Sequence, residues 1–375
     1  NMKIIGNSVM LKSDGTCAGL GTNNNDITPT WANKDSDAST WNSSSADLTL
    51  PVGVNSSRIK YAGLYWQGRV DNGEDFWTNG KNIKFKPAGL AYQDLTSPAT
   101  KFNWTIRSAD SGYQGVYDVT ALVKQSIDLV PAATIDSTGY SGTFWGANVL
   151  AKKFTNGYGA WSLVVIYEDY DDTLKNISLY DGFIAVNDGD IRSTTLSGFL
   201  TPTSGAVHSN LLIFGGEGDI TLTDSVTMTD RFGIDRSLGS NIFDSSQEIN
   251  GVSVTSRNPS CINTIGIDID SFDVGSTSAT TQIIGNGQTS TTVKLKSTGD
   301  VYYPGVFAFS TELYIPDVCY LEDVTFNGLP ITGDNIPSTN DDVLFDVTIT
   351  NKTDEVAKGV FVEKVFDKPN EITYV

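Results

Sequence analysis

Along most of the chain, apolar and polar positions alternate with a period of two, the pattern of strands that cover one face. In SRIKYAGLYWQGRV the apolar positions are Ile59 and Tyr61, then Leu64 and Trp66. NIKFKP alternates at Ile83 and Phe85, and FNWTIRS at Phe102, Trp104 and Ile106. GAWSLVVIYED is almost continuously apolar, which predicts a strand buried on both faces. KNISLYDGFIAV follows it, and the intervening EDYDDTLKN reads as the turn of a hairpin. A second series of strands begins near residue 190, with HSNLLIFGGE, ITLTDSVTM, TIGIDIDSFDV, STTVKLKST and VYYPGVFAFSTELYI. In IGIDIDSF, Ile265, Ile267 and Ile269 oppose Asp268 and Asp270, which predicts a half-exposed antiparallel strand. Helical spacing is confined to TALVKQSIDLVPAATI, residues 120–135, where Pro131 ends the helix. Residues 1–47, rich in Asn, Ser and Asp, read as long loops with one or two short strands.

The expected fold is therefore all-β, with one or two jelly-roll or β-sandwich domains followed by a truncated immunoglobulin-like module. The boundaries fall at 1–190, 191–318 and 319–375. The two series share a loose order of features, as two copies of one sandwich topology would. In the last segment, Val343, Phe345, Val347 and Ile349 form one strand face, NKTDEVAKG a turn, and the following residues a second strand.

Two stretches carry a resemblance. DDVLFDVTITNKTDEVAKGVFVEKVF resembles the opening strands of the conserved-repeat immunoglobulin-like module found in tandem in long bacterial surface proteins. YAGLYWQG, YDVTALV, GAWSLVVIYED, NISLYDGF, GGEGD and GIDID, followed by GDVYYPGVFAFS, resemble the head region that precedes those repeats in secreted, adhesin-like proteins. The resemblance implies an extracellular or bacterial cell-surface location and a role in cell adhesion, and carries no catalytic residues across. The abrupt end at NEITYV and the lack of an apolar leader in NMKIIGNSVM suggest a segment of a longer polypeptide, its targeting signal upstream.

Composition narrows the function classes. Charged residues are only 18%, and Ser, Thr, Asn and 36 glycines take their place, which suits short strands and tight turns. A net charge of −19 argues against nucleic acid and against anionic membrane. No apolar run approaches the roughly 18 residues of a membrane span. The three cysteines, Cys17, Cys261 and Cys319, form no zinc spacing. In a secreted chain Cys261–Cys319 is the favoured bridge, with Cys17 bonded to either as its rival, and three free thiols also fit.

Catalytic chemistry has little to stand on. His208 is the single histidine, no GxSxG elbow is present, and a surface or structural role suits it best. A carboxylate-pair glycosidase needs only two of the 44 acids, so it stays open as an alternative. Calcium is the cofactor the acidic turns suggest. Asp188 and Asp190 of NDGD with Glu217 and Asp219 of GEGD are the preferred ligands, beside VDNGED (Asp71, Glu74, Asp75) and EDYDD, although such turns are also ordinary hairpin chemistry. Lys364, on the face of Val360, Val362 and Phe366, is a candidate for covalent self-linking. Four tryptophans, Trp31, Trp41, Trp77 and Trp145, lie in polar, Gly- or Asn-rich surroundings and could stack on a sugar or plug a sandwich end. The expected function is a non-enzymatic surface protein, an adhesin-type head binding a host or neighbouring-cell glycan or protein. The alternative is a structural subunit of an extracellular fibre or surface layer that binds copies of itself.

Overall fold

The computed structural model describes residues 1–71, 76–106, 110–278, 281–314, 318–333, 335, 337–338, 340–351 and 360–362. The protein is all-β, 48% strand and 7% helical. It divides into two compact units, Asn1–Thr201 with Ala206–Leu313, and Pro202–Gly205 with Tyr314–Val375. The expected boundary at 190 falls inside the first unit.

Among the described residues, that unit holds four large sheets, whose faces share three main cores, and a two-stranded sheet. The first sheet orders Arg257–Asn258, Ser43–Leu50, Tyr140–Ala147, Asn82–Lys86 and Gln93–Thr96. The second orders Met2–Ser8, Gly159–Tyr167, Ile59–Asp71, Asp110–Asp118 and Asn103–Ile106. Between them lie Leu48, Leu64, Trp66, Phe85, Phe144, Trp161 and Leu163. Glycine makes room for both indoles: a Cβ at Gly115 would overlap the Trp66 ring, and one at Gly146 the Trp161 ring.

The third sheet orders Lys175–Asp181, Tyr303–Glu312, Ser209–Gly216, Ile267–Asp273, Glu248–Ile249 and Val252–Ser253. The fourth orders Ile191–Ser197, Ser290–Thr298, Thr223–Thr229 and Asp235–Ser237. Leu211, Ile213, Phe309, Val226, Val293 and Leu295 fill the core between these two. A further core joins the sandwiches, with Tyr65, Ala160 and Val164 of the second sheet against Leu212, Phe214, Ile267 and Val306 of the third. The second sheet is thus covered on both sides. This is why Gly159–Tyr167 is apolar almost throughout, as its sequence predicts. Each large side chain buried this way contributes about 1.5–3 kcal/mol.

Two helices, Thr120–Asp128 and Ala132–Thr138, occupy the expected helical stretch, and Pro131 ends the first and caps the second. The acidic EDYDDTLKN is not a hairpin. Gly159–Tyr167 pairs with Met2–Ser8 and Ile59–Asp71, whereas Lys175–Asp181 pairs with Tyr303–Glu312, so the segment crosses from the second sheet to the third. Its acids tie that crossing down: Asp172 accepts from Asn1 Nδ2 at 2.7 Å and pairs with Lys175, and Glu168 pairs with Lys60 at 2.9 Å.

The disulfide joins Cys17 to Cys261 across 5.3 Å between Cα atoms, which corrects the favoured Cys261–Cys319 pairing. The reason lies in the strand order. Arg257–Asn258 adds to the edge of Ser43–Leu50, and Ala18 bridges Asn263, so residues 257–263 belong with the N-terminal segment. Cys319 is a free thiol in the second unit, opposite Thr350 on the neighbouring strand.

In the second unit Val318–Phe326 pairs antiparallel with Leu329–Pro330 and Leu344–Asn351. The expected inward face is not covered by the described residues: Phe345, Val347 and Ile349 are exposed. Lys364, Phe366 and residues 352–359 of the expected turn lie outside the described residues.

Candidate functional site

The polar N-terminal region folds through its own side chains. Pro29–Trp31 pairs with Met10–Lys12, and the following turn is closed by Asp35, whose Oδ1 accepts from Thr40 Oγ1 at 2.8 Å. Tyr92 donates its hydroxyl to the other oxygen of Asp35 at 2.5 Å, and burial raises the Tyr92 pKa well beyond the usual phenol range. Asn148, in the left-handed region at φ 60°, accepts from Trp41 N at 2.9 Å and fixes the turn's far end.

These contacts bring Trp31 and Trp41 together, with ring centroids 4.6 Å apart and planes tilted 48°. Trp31 is the supporting ring: its Nε1 donates to Ala151 O at 3.0 Å, and Lys153 Nζ lies 4.0 Å from its centroid. Trp41 is 37% exposed and forms the open platform. The pair borders a cleft of about 600 Å³ whose other wall includes Asn82, Lys84, Asp94 and Leu95. Lys84 and Asp94, opposite one another on neighbouring strands, pair at 2.9 Å, leaving no net charge from that pair. An aromatic ring beside amide and hydroxyl groups without net charge suits a neutral, hydroxyl-rich ligand.

The other two candidate tryptophans stand elsewhere. Trp77 packs on Trp104 at 3.9 Å between centroids, and both rings are partly exposed. Trp104 was placed by its sequence inside an ordinary strand. The signal for its exposure is its position on a short edge strand, Asn103–Ile106, that has no buried residue. Trp145 is a strand residue, opposite Ser45 and Lys86, and half-buried.

The acids expected to hold calcium are engaged in other ways. Asp188 accepts from Gly299 N at 2.8 Å. Asp190 accepts from Asn187 Nδ2 at 3.0 Å and from Arg192 at 3.1 Å, and the Asn187 hydrogen bonds hold its carboxyl below the usual range. Glu217 is buried against Arg69, and burial pushes its carboxyl up. Asp219 anchors the N-terminal segment, accepting from Asn24 N and from Asn25 Nδ2, each at 2.9 Å; that amide also reaches Asp300 at 2.8 Å. Glu74 and Asp75 lie outside the described residues, and Asp71 pairs with Lys152 at 3.1 Å.

Burial raises Asp219 to about 6 and Asp224 to about 7, with Asp300 adding like charge at both. The folded state therefore binds protons that the unfolded chain, with Asp near 3.9, releases. Stability falls as pH rises through this window. In chelator, the melting temperature is expected to rise as pH is lowered from 8 to 5.5. A flat or falling trend would contradict that reading of the buried acids.

His208, at the start of its strand, contacts Glu312 through Nδ1 at 2.8 Å, and Glu312 also accepts from Thr173 Oγ1 at 2.6 Å.

No family model matches the chain, and no curated protein sequence matches it. Solved structures offer weak likenesses. A β-porphyranase of glycoside hydrolase family 86 from the human gut bacterium Bacteroides plebeius is 12% identical, at a TM-score of 0.23 over 69% of this chain; the chain spans 37% of that protein. Peptide:N-glycanase F is 10% identical at a TM-score of 0.22, covering 83% of this chain and 95% of that one. The major capsid protein P2 of bacteriophage PM2 is 11% identical at 0.21, covering 84% and 98%. Scores this low carry no argument about this chain.

Proposed function

We propose that this chain is a non-catalytic, extracellular binding head of a bacterial surface protein, and that it holds a neutral glycan on Trp41 in the cleft beside Trp31. The observation that carries the reading is the tilted tryptophan pair, one ring pinned and one open, at the edge of a polar cleft. The Cys17–Cys261 disulfide supports an oxidising compartment. Among the described residues lining the cleft, Asp94 is the single carboxylate and is paired with Lys84, whereas glycoside hydrolysis calls for two.

The test is binding to an array of neutral and acidic glycans, followed by titration with the best ligand. Trp41→Ala is expected to weaken binding about tenfold or more, since about 1.4 kcal/mol of lost stacking is a factor of ten. Trp145→Ala is expected to leave affinity unchanged. Equal affinity for wild type and Trp41→Ala would overturn the assignment.

A second reading, self-association into a fibre or layer, draws on the second unit. Tyr320 and Leu321 are exposed there on one strand, and Phe345 and Val347 on the strand beside it. It predicts particles that grow with concentration and break up on Leu321→Asp or Val347→Asp.

A further inference from the structure

The strand Ile267–Asp273 does not have the solvent face its sequence suggests. Ile267 and Ile269 fill the core between the two sandwiches, as expected. Asp268 and Asp270, two residues apart and so on the opposite face, are 0% and 3% exposed. What covers them is the segment 244–249, which runs along the strand and ends in a parallel pairing of Ile249 with Ser271. Ile269 N donates to Ser246 O at 3.3 Å.

That segment satisfies half of each carboxylate. Ser246 N donates to Asp268 Oδ1 at 3.2 Å, and Glu248 N donates to Asp270 Oδ1 at 2.8 Å. The second oxygen of each, together with Asp244 Oδ1, is buried without a hydrogen-bond partner. Among the described residues, no lysine, arginine or histidine nitrogen forms an ion pair with Asp244, Glu248, Asp268 or Asp270. Gly218 packs directly against the Asp268 carboxylate, where a Cβ would collide with Oδ2.

Beside the pair lies a cleft of about 580 Å³, lined by Asp244, Ser246, Glu248, Asp270, Asp273 and Thr281 among others. Its ionisable lining groups, Asp244, Glu248, Asp270 and Asp273, are all acids. Such a wall concentrates cations at its mouth.

We infer that Asp270, which lines this cleft with one buried oxygen unpartnered, and Asp268, buried behind it on the same strand face, form a binding site for a hard divalent cation, with calcium the expected occupant. Two buried like charges without partners are costly, and a cation, an ion pair or a shared proton can relieve them. Oxygen-only donors and an irregular covering segment suit calcium better than zinc or the smaller, strictly octahedral magnesium. Among the described residues no three or more His, Cys, Asp or Glu form a ready ligand set. The ion therefore takes two carboxylates and completes its shell with neutral oxygens such as main-chain carbonyls, the Ser246 hydroxyl and water. Asp244 and Glu248 add field from the covering segment. The lining of this cleft shares no residue with that of the tryptophan cleft.

The test uses the full chain, stripped with chelator at pH 7.5, titrated with calcium chloride and, in parallel, magnesium chloride and sodium chloride at matched ionic strength. Calcium is expected to give saturable heat and a melting temperature that climbs with its concentration, with magnesium weaker. Asp270→Asn and Asp268→Asn are each expected to melt at or above the wild-type temperature in chelator, since a buried charge is removed, and to lose the calcium response. Asp188→Asn, an exposed acid elsewhere, is expected to keep it. No saturable calcium response in the wild type would overturn the proposal in favour of a shared proton. So would a response that survives in both Asp268→Asn and Asp270→Asn.

Discussion

Removing the Cys17–Cys261 disulfide is expected to destabilise the first unit by about 3–5 kcal/mol. The bond spans 244 residues of chain, so opening it returns a large loop entropy to the unfolded state. It also loosens a specific part of the native fold. Residues 257–263 bring an extra edge strand to Ser43–Leu50, and Arg257 reaches from there to Asn7 Oδ1 and Pro259 O, each at 3.1 Å. Without the bond, this strand and the N-terminal segment that carries Trp31 and Trp41 are held by hydrogen bonds and by the packing of Met10, Ala18 and Ile27 in the first core. Cys261 is buried and Cys17 exposed, so reductant can reach the bond from one side. Calorimetry of the wild type and of Cys17→Ser/Cys261→Ser checks this. A clear fall in melting temperature is expected for the double variant and none for Cys319→Ser. Equal melting of the double variant and wild type would refute it.

Arg69→Ala is expected to cost about as much, about 3–5 kcal/mol, because it strands a buried carboxylate. Arg69 comes from the Ile59–Asp71 strand of the first sandwich and Glu217 follows the Ser209–Gly216 strand of the second, so the pair joins the two where Tyr158 is buried between them. Without the guanidinium, Glu217 is left buried with Asp219 and Asp300 repelling it. Glu217→Gln is expected to be milder, and Arg69→Met/Glu217→Met to recover most of the loss, since a buried pair replaced by apolar groups is often neutral. A double-mutant cycle in urea measures the coupling. The Arg69→Ala deficit is further expected to shrink as pH is lowered from 8 to 5.5, because protonation neutralises the stranded acid. Additive single effects would show that the two residues do not act as a pair.

The strands were largely legible, because burial on one face or two writes itself directly into the apolar pattern. Gly159–Tyr167 and the helical stretch ended by Pro131 are the clearest cases. Partnering was not legible. The period of two in Ile267–Asp273 reports two different faces, and nothing local says that a distant segment folds over the polar one. The acidic stretch after Tyr167 has turn chemistry whether it closes a hairpin or crosses between sheets. The disulfide depends on residues 257–263 returning to the first sandwich, a contact 244 residues long in sequence. Among the tryptophans, polar surroundings single out Trp31 and Trp41, which meet, and equally Trp145, whose glycine neighbour accommodates Trp161.

The most direct measurement is glycan binding by the intact, disulfide-bonded chain compared with Trp41→Ala, with calorimetric titration of the best array ligand. Saturable binding to a neutral glycan by the wild type, weakened about tenfold or more in Trp41→Ala at unchanged melting temperature, is the predicted result. Absence of binding to any glycan, or binding that Trp41→Ala leaves intact, would contradict a glycan-holding role for the cleft.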